Sequence, residues 1–204
     1  MADLARVGWV GRVAWAIGRS LARRAGFVAI PKLGDPVAAR GNLPGERHVL
    51  WQIPIVFRRW GFTDGRADFS VFLRWQFGPM APYQMMFAGG RAPERNAALR
   101  STDPRVIPLV IRSEVGESVR LSTDPNIARV DAPKGKARLL DLGVFWDMAS
   151  ERVDFPPGTH WLTVELRVGD ALVSSGSYRL EVPCKDEDNS RFRLLRAGVE
   201  QRAA

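Results

Sequence analysis

The stretch from Phe155 to Pro183, FPPGTHWLTVELRVGDALVSSGSYRLEVP, constrains the fold of this chain more than any other segment. Apolar residues alternate with polar ones from Leu162 to Val168, and the alternation returns from Tyr178 to Val182. Successive side chains of a β-strand point to opposite sides, so this period of two predicts strands with one buried face. Gly169-Asp170 lies between the two runs, where a turn is required. The stretch therefore predicts a β-hairpin with Tyr178, Leu180 and Val182 facing inward on its return strand.

The same alternation recurs along the middle of the chain. HVLWQIPIVFRR and ADFSVFLRWQF flank a turn at Asp64-Gly65 and predict a long hairpin, in which Pro54 marks an edge strand or a bulge. Shorter strands are predicted at Val106–Arg112, Ser118–Ser122 and Arg138–Met148. About seven or eight strands separated by turn signals predict a mainly β fold, an antiparallel sandwich, with a closed barrel as the alternative.

The final hairpin resembles those of bacterial immunoglobulin-like and fibronectin-type sandwich domains. In these domains a PPGTH-type turn often introduces the penultimate strand, and here Pro156-Pro157-Gly158-Thr159-His160 stands in that place. The resemblance implies an immunoglobulin-like β-sandwich, which we expect over residues 47–183. Domains of this kind serve mostly as spacers and binding modules, so the resemblance implies binding rather than catalysis.

The first 25 residues have a different pattern. At 100° per residue the aliphatic side chains gather on one side of a helix and arginines on the other, with tryptophans near the borders. We therefore expect residues 1–25 to form a basic amphipathic helix that docks on a membrane surface or a protein assembly. The residues of this predicted docking helix are Val7, Trp9, Val10, Arg12, Val13, Trp15, Ile17, Arg19, Leu21 and Arg23.

Two further segments lack a sustained period. Residues 26–46 are rich in proline and glycine and predict a linker or an irregular wrap over the domain surface. Residues 184–204 predict a charged C-terminal tail, either disordered or ending in a short helix near residues 193–200.

The net positive charge of the chain indicates which kinds of partner it could bind. The chain of 204 residues has a formal net charge of +8, which favours an acidic protein, an anionic membrane surface or nucleic acid. Cys184 is the single cysteine and mildly favours a reducing compartment, and no apolar run reaches the roughly 20 residues of a membrane span. We expect a cytoplasmic protein that is membrane-associated if the docking helix binds lipid.

The sequence offers little that predicts catalysis. His48 and His160 are its two histidines; we expect a structural role for His160 and a solvent-facing His48. Phosphate-binding glycine motifs and a nucleophile elbow are absent from the sequence. Acidic clusters at residues 147–154 and 186–188 lack EF-hand spacing, so they predict solvated loops rather than calcium sites. We expect no enzyme activity, metal, cofactor or small-molecule substrate.

Aromatic residues on the outward parity of the predicted strands are the remaining signal. Phe72, Phe145 and Trp161 form the candidate outward aromatic patch, covered either by the chain's own termini or by a partner. A protein partner or self-assembly is the leading expectation, and an anionic membrane is the second. Nucleic acid stacked on basic and aromatic side chains, with Arg58, Arg59, Trp60, Arg74 and Trp75 as candidates, is the third.

Overall fold

The structure is a computed structural model that describes residues 27–40, 47–62, 68–76, 81–89, 94–100, 104–120, 129–140 and 153–198. Within these ranges the chain is built from β-strands and one short 3₁₀ turn at Asn189–Arg191. The strands are β1 Phe27–Leu33, β2 Val37–Arg40, β3 His48–Phe62, β4 Phe69–Trp75, β5 Tyr83–Met85, β6 Asn96–Ala97, β7 Val106–Ser113, β8 Glu117–Arg120, β9 Arg129–Ala132, β10 Ala137–Leu139, β11 Asp154–Phe155, β12 Gly158–Val168, β13 Ala171–Val182 and β14 Arg193–Arg196.

The strands form two six-stranded antiparallel sheets. The first has the order β1-β3-β7-β10-β11, with β2 also paired to β3. The second has the order β14-β13-β12-β4-β5, with β6 also paired to β4, and β8 pairs with β9 separately. Apolar side chains of both sheets belong to a single buried cluster, which includes Ile53 and Leu109 from the first sheet and Val71 and Val164 from the second. Two antiparallel sheets around a shared core are the arrangement of a β-sandwich, which confirms the predicted mainly β class.

The β12–β13 hairpin confirms the prediction from its alternation. Leu162, Val164 and Leu166 are buried, and the pairing sets Leu162 opposite Tyr178, which is also buried. Gly169 has a φ of +55° at the turn, in the left-handed region that glycine adopts without the steric penalty of a Cβ. Each fully buried aliphatic side chain contributes about 1.5–3 kcal/mol relative to exposure, so the inward row fixes this register.

The segment predicted as a linker or surface wrap forms strands instead. β1 and β2 lie within residues 26–46 and pair with β3, so the sheet begins at Phe27 rather than near Arg47. Pro31 interrupts the pattern in the sequence, and the β1–β3 register shifts between Ile30 and Pro31. β1 is an edge strand, where a bulge accommodates proline because no second neighbour needs its missing N–H.

The predicted hairpin across Asp64-Gly65 is wrong. β3 pairs with β1, β2 and β7, whereas β4 pairs with β12, β5 and β6 in the other sheet. The edge position predicted from Pro54 is also wrong, because β3 has neighbours on both sides. Alternation identifies which face of a strand is buried but carries no information about its partner.

The C-terminal segment belongs to the fold as far as Gly198. The residues predicted as a charged tail form the 3₁₀ turn and β14, which pairs with β13 as an edge strand. Arg112 of β7 is fully buried beneath this segment and donates from Nη2 to the carbonyl oxygens of Cys184 at 2.9 Å and Glu187 at 3.0 Å. Its Nη1 donates to Oδ1 of Asn189, so one guanidinium holds three acceptors of the segment.

The predicted N-terminal helix lies outside the described residues. Among the residues that the structure does describe, none forms an α-helix, and the search for a helix long and apolar enough to cross a membrane found none there.

Candidate functional site

The side of the β14-β13-β12-β4-β5 sheet that points away from the core is here named the outer face. Every second residue of its strands points outward, as shown by buried residues alternating with exposed or half-buried ones in β4, β12, β13 and β14. The sheet is backed by the shared core, so side chains on the outer face project from a fixed platform.

Three outward residues on adjacent strands form a continuous row. Trp161 of β12 lies opposite Arg179 of β13, and Arg179 lies opposite Leu195 of β14. Directly opposed residues on neighbouring strands have Cβ atoms about 4.5–5.5 Å apart. Trp161 is 36% exposed and Leu195 is 38% exposed, so two large apolar side chains reach solvent on either side of one arginine. This set is called the Trp161 row.

Charged residues surround the Trp161 row. Glu165 forms an ion pair with Arg167, with 2.6 Å between its Oε2 and Nη2 of the arginine. Its Oε1 lies 3.8 Å from Nε of Arg74. Glu181 pairs with Nη2 of Arg179 at 2.8 Å and lies opposite Arg193. The outer face of the described strands thus carries four arginines and two glutamates, and both carboxylates are already neutralised by arginines of the same face.

The aromatic patch expected from Phe72, Phe145 and Trp161 stays a prediction. Phe72 and Trp161 share the outer face, but Phe72 lies opposite Glu165, four positions along β12 from Trp161, which is about 13 Å at 3.3 Å per residue. The guanidinium carbon of Arg167 lies 5.6 Å from the centroid of the Phe72 ring, a cation–π contact that covers part of the half-buried Phe72. Phe145 lies outside the described residues.

Sequence reasoning missed two members of the Trp161 row. Arg179 lies on the outward side of a predicted strand, but one charged residue in that position does not by itself predict a binding site. Leu195 was assigned to the tail, because the four residues of β14 are too few to show a period. The pairing of β14 with β13 is what brings Leu195 beside Arg179.

The predicted docking residues cannot be placed on this surface. All ten, from Val7 to Arg23, lie outside the described residues, so the docking helix stays a prediction. Of the nucleic-acid candidates, Arg74 points outward while Trp75 packs against the core, with its ring 4.8 Å from that of Phe155.

Both histidines are buried. His160 is buried and its Nε2 lies 2.8 Å from the carbonyl oxygen of Pro156, in agreement with the predicted role. His48 is also buried, at 5% exposure, so the prediction that it faces solvent is wrong. It begins β3, which has strands on both sides, and strand position alone does not reveal such burial. Across the described part of the chain, the search for three or more His, Cys, Asp or Glu side chains that could hold a metal ion found no such group.

The outer face combines exposed apolar side chains with arginines on a sheet backed by the shared core. The two imidazoles lie in the protein interior.

No protein-family profile, curated protein or solved structure matches this chain. The resemblance of the final hairpin to immunoglobulin-like domains accordingly stays a prediction.

Proposed function

We propose that this chain is a non-catalytic β-sandwich module that binds a protein partner through its outer face. The observation that carries the proposal is the Trp161 row, in which Trp161 and Leu195 are exposed on either side of Arg179. Tryptophan and arginine are the residues most enriched among those that dominate binding energy in protein interfaces, where aromatic side chains fill pockets of the partner.

The platform beneath the row favours binding. Trp161 stands on β12, which pairs with β13 over its whole length and with β4 from Leu162 to Val168. The carbonyl oxygen of Trp161 also accepts a hydrogen bond from the backbone N–H of Gln76 at 3.3 Å. The backbone at this position is therefore held before binding, so association loses less conformational entropy than it would on a loop. The row thus meets the two requirements of an anchor, exposed apolar area and preorganisation.

The simplest alternative is that the described part of the C-terminal segment covers the Trp161 row within the same chain. β14 lies at the edge of the sheet, in plane with β13, and contributes Leu195 to the outer face instead of lying across it. The strand therefore extends the surface available to a partner.

A photo-crosslinking residue at Leu195 in full-length protein, expressed in its native cells, tests the proposal. We expect a discrete crosslinked protein adduct that disappears when Trp161→Ala is added. The matched control places the same residue at Val115, which is 42% exposed and lies between β7 and β8, outside the sheet that carries the outer face. Adducts that form equally at both positions, or that survive Trp161→Ala, would contradict the proposal.

Docking through the N-terminal segment is the second part of the proposed function. Its support is the segregation of aliphatic and arginine side chains in residues 1–25 of the sequence. The full chain should sediment together with vesicles that contain phosphatidylserine at low salt. The double variant Val10→Asp/Ile17→Asp should stay in the supernatant. Equal pelleting of the two proteins would remove the lipid form of this proposal. The location expected from the sequence, cytoplasmic with membrane association, depends on the same result.

An immunoglobulin-like strand arrangement is also proposed, on the basis of the PPGTH turn and the hairpin that follows it. NMR contacts between the backbones of paired strands, compared with those of immunoglobulin-like sandwiches, would test it, and a different strand order would overturn it.

A further inference from the structure

We propose that the partner presents an acidic protein segment whose apolar side chains contact Trp161 and Leu195 and whose carboxylates lie on either side of the Trp161 row. This inference rests on the proposed function of the outer face and specifies the chemistry of what binds there.

The positions of the arginines set the charge of the partner. Arg193 lies opposite Glu181, next to the Trp161 row on one side, and Arg74 lies opposite Thr163, next to the row on the other side. The Arg74 side chain is 47% exposed, and Arg193 is exposed and donates its Nε to the carbonyl oxygen of Ser190 at 3.4 Å. Arginines therefore lie on both sides of the Trp161 row, and carboxylates at matching positions of a partner would complement them.

A second copy of the chain fits this surface less well. Its outer face would bring the same excess of arginine, and its two carboxylates are already engaged by Arg167 and Arg179. The net charge of +8 also makes two copies repel each other at low ionic strength. An acidic protein supplies the carboxylates that a second copy lacks.

A single-stranded nucleic acid also fits less well. Such ligands stack successive bases on exposed aromatic rings spaced along a basic groove. On the outer face of the described strands the ring of Phe72 is partly covered by Arg167, which leaves Trp161 as the open aromatic ring of that face. Leu195 at the other end of the row suits an aliphatic or aromatic side chain of a protein.

Selection of peptides from a random display library on the full-length protein tests the inference. We expect enriched peptides to combine acidic residues with at least one large apolar residue. In fluorescence polarisation, Trp161→Ala should weaken their binding about 30-fold, the size of an interface hot spot. Arg193→Glu should also weaken it, whereas Lys136→Glu, an exposed charge change preceding β10 in the other sheet, should leave it unchanged. Added sodium chloride should weaken the binding further.

The outcomes separate the two proposals. Peptides that depend on Trp161 but are neutral or basic would overturn the acidic partner and leave the binding face standing. Selection that yields no peptide dependent on Trp161 would overturn both. A single-stranded oligonucleotide that binds more tightly than the peptides, in a manner dependent on Trp161, would replace the acidic segment with nucleic acid. A dimer seen by analytical ultracentrifugation and lost in Trp161→Ala would replace it with a second copy.

Discussion

The phenolic oxygen of Tyr178, on β13 of one sheet, lies 3.3 Å from the carbonyl oxygen of Gly34, between β1 and β2 of the other sheet, and donates a hydrogen bond to it. Three neighbouring contacts cross the same gap. The amide of Leu33 donates to Oγ of Ser174 at 3.4 Å. Nη1 of Arg196 donates to the carbonyl oxygen of Leu33 at 3.1 Å and to Oδ1 of Asp35 at 3.3 Å. Four polar contacts thus connect the start of the described chain to its C-terminal strands.

The first prediction concerns alkaline pH. Burial raises the pKa of Tyr178 from 10.0 to about 12, with a further rise from Asp35 and an opposing effect of Arg196. A tyrosine whose pKa is higher in the folded state than in the unfolded state contributes to stability, and this contribution is fully present below the unfolded-state pKa of about 10. One pKa unit corresponds to about 1.4 kcal/mol, so the contribution is at most about 3 kcal/mol. It is lost as the pH rises from about 10 to about 12.

Ultraviolet titration of tyrosinate measures this directly, because the chain has two tyrosines. In a Tyr83→Phe variant we expect the remaining tyrosine to ionise near pH 12 or together with unfolding. The Tyr178→Phe protein should lack this late step. Ionisation of Tyr178 near pH 10 in protein that circular dichroism shows to be folded would contradict the prediction.

The second prediction concerns the space above Gly176. Tyr178 lies two residues further along β13, on the same side, and a Cβ at Gly176 would stand 2.6 Å from its hydroxyl oxygen and 2.8 Å from Cε2. Gly176→Ala would displace the ring from its buried position and weaken the hydrogen bond to Gly34. We expect a loss of about 2 kcal/mol, typical of overpacking.

Thermal unfolding checks this, since about 2 kcal/mol lowers the melting temperature by roughly 6 °C in a chain of this length. Gly198→Ala is the control, because a Cβ there meets no atom within 4 Å. Equal melting temperatures for the two variants would show that the ring has room to move.

The third prediction concerns Arg112. Its burial lowers the pKa of the guanidinium, and the carboxylates of Glu114, Glu187 and Asp188 oppose that effect. Arginine side chains are protonated in proteins. Arg112→Met would remove the three hydrogen bonds that the guanidinium donates to the C-terminal segment. We expect a loss of about 3 kcal/mol, in line with removal of hydrogen bonds to a charged group.

Urea unfolding gives the free energy, and hydrogen exchange should show faster exchange in residues 184–196. The control is Arg191→Met, because that arginine pairs with Glu187 from a side chain 71% exposed, and such surface pairs contribute at most about 1 kcal/mol. Similar losses in both variants would mean that Arg112 does not hold the segment.

The fourth prediction separates the core from the outer face. The ring of Trp75 packs edge-on against Phe155 and His160, at centroid distances of 4.8 Å and 5.8 Å. Trp75→Ala should cost about 3 kcal/mol, as expected for truncation of a packed aromatic side chain. Trp161→Ala should cost about 1 kcal/mol, because part of that ring already faces solvent.

Chemical denaturation of the two variants makes the comparison. A loss for Trp161→Ala as large as that for Trp75→Ala would show that Trp161 serves stability, which would weaken the case for the outer face as a binding surface.

Within the described residues, the alternation of the sequence predicted the buried faces of β4, β12 and β13. Leu162, Val164 and Leu180 could be placed in the core from the sequence, because the period of two is a property of the strand backbone. Trp161 and Phe72 could be assigned to the outward side for the same reason.

The tertiary structure alone decided which strands are neighbours. Pairing depends on contacts between residues distant in sequence, so the separation of β3 from β4, the inclusion of β1 and β2, and the burial of Arg112 were not encoded in any local pattern. Leu195 shows the consequence for the candidate site. Its strand is too short to have a recognisable period, and only its pairing with β13 places it beside Arg179 and completes the Trp161 row.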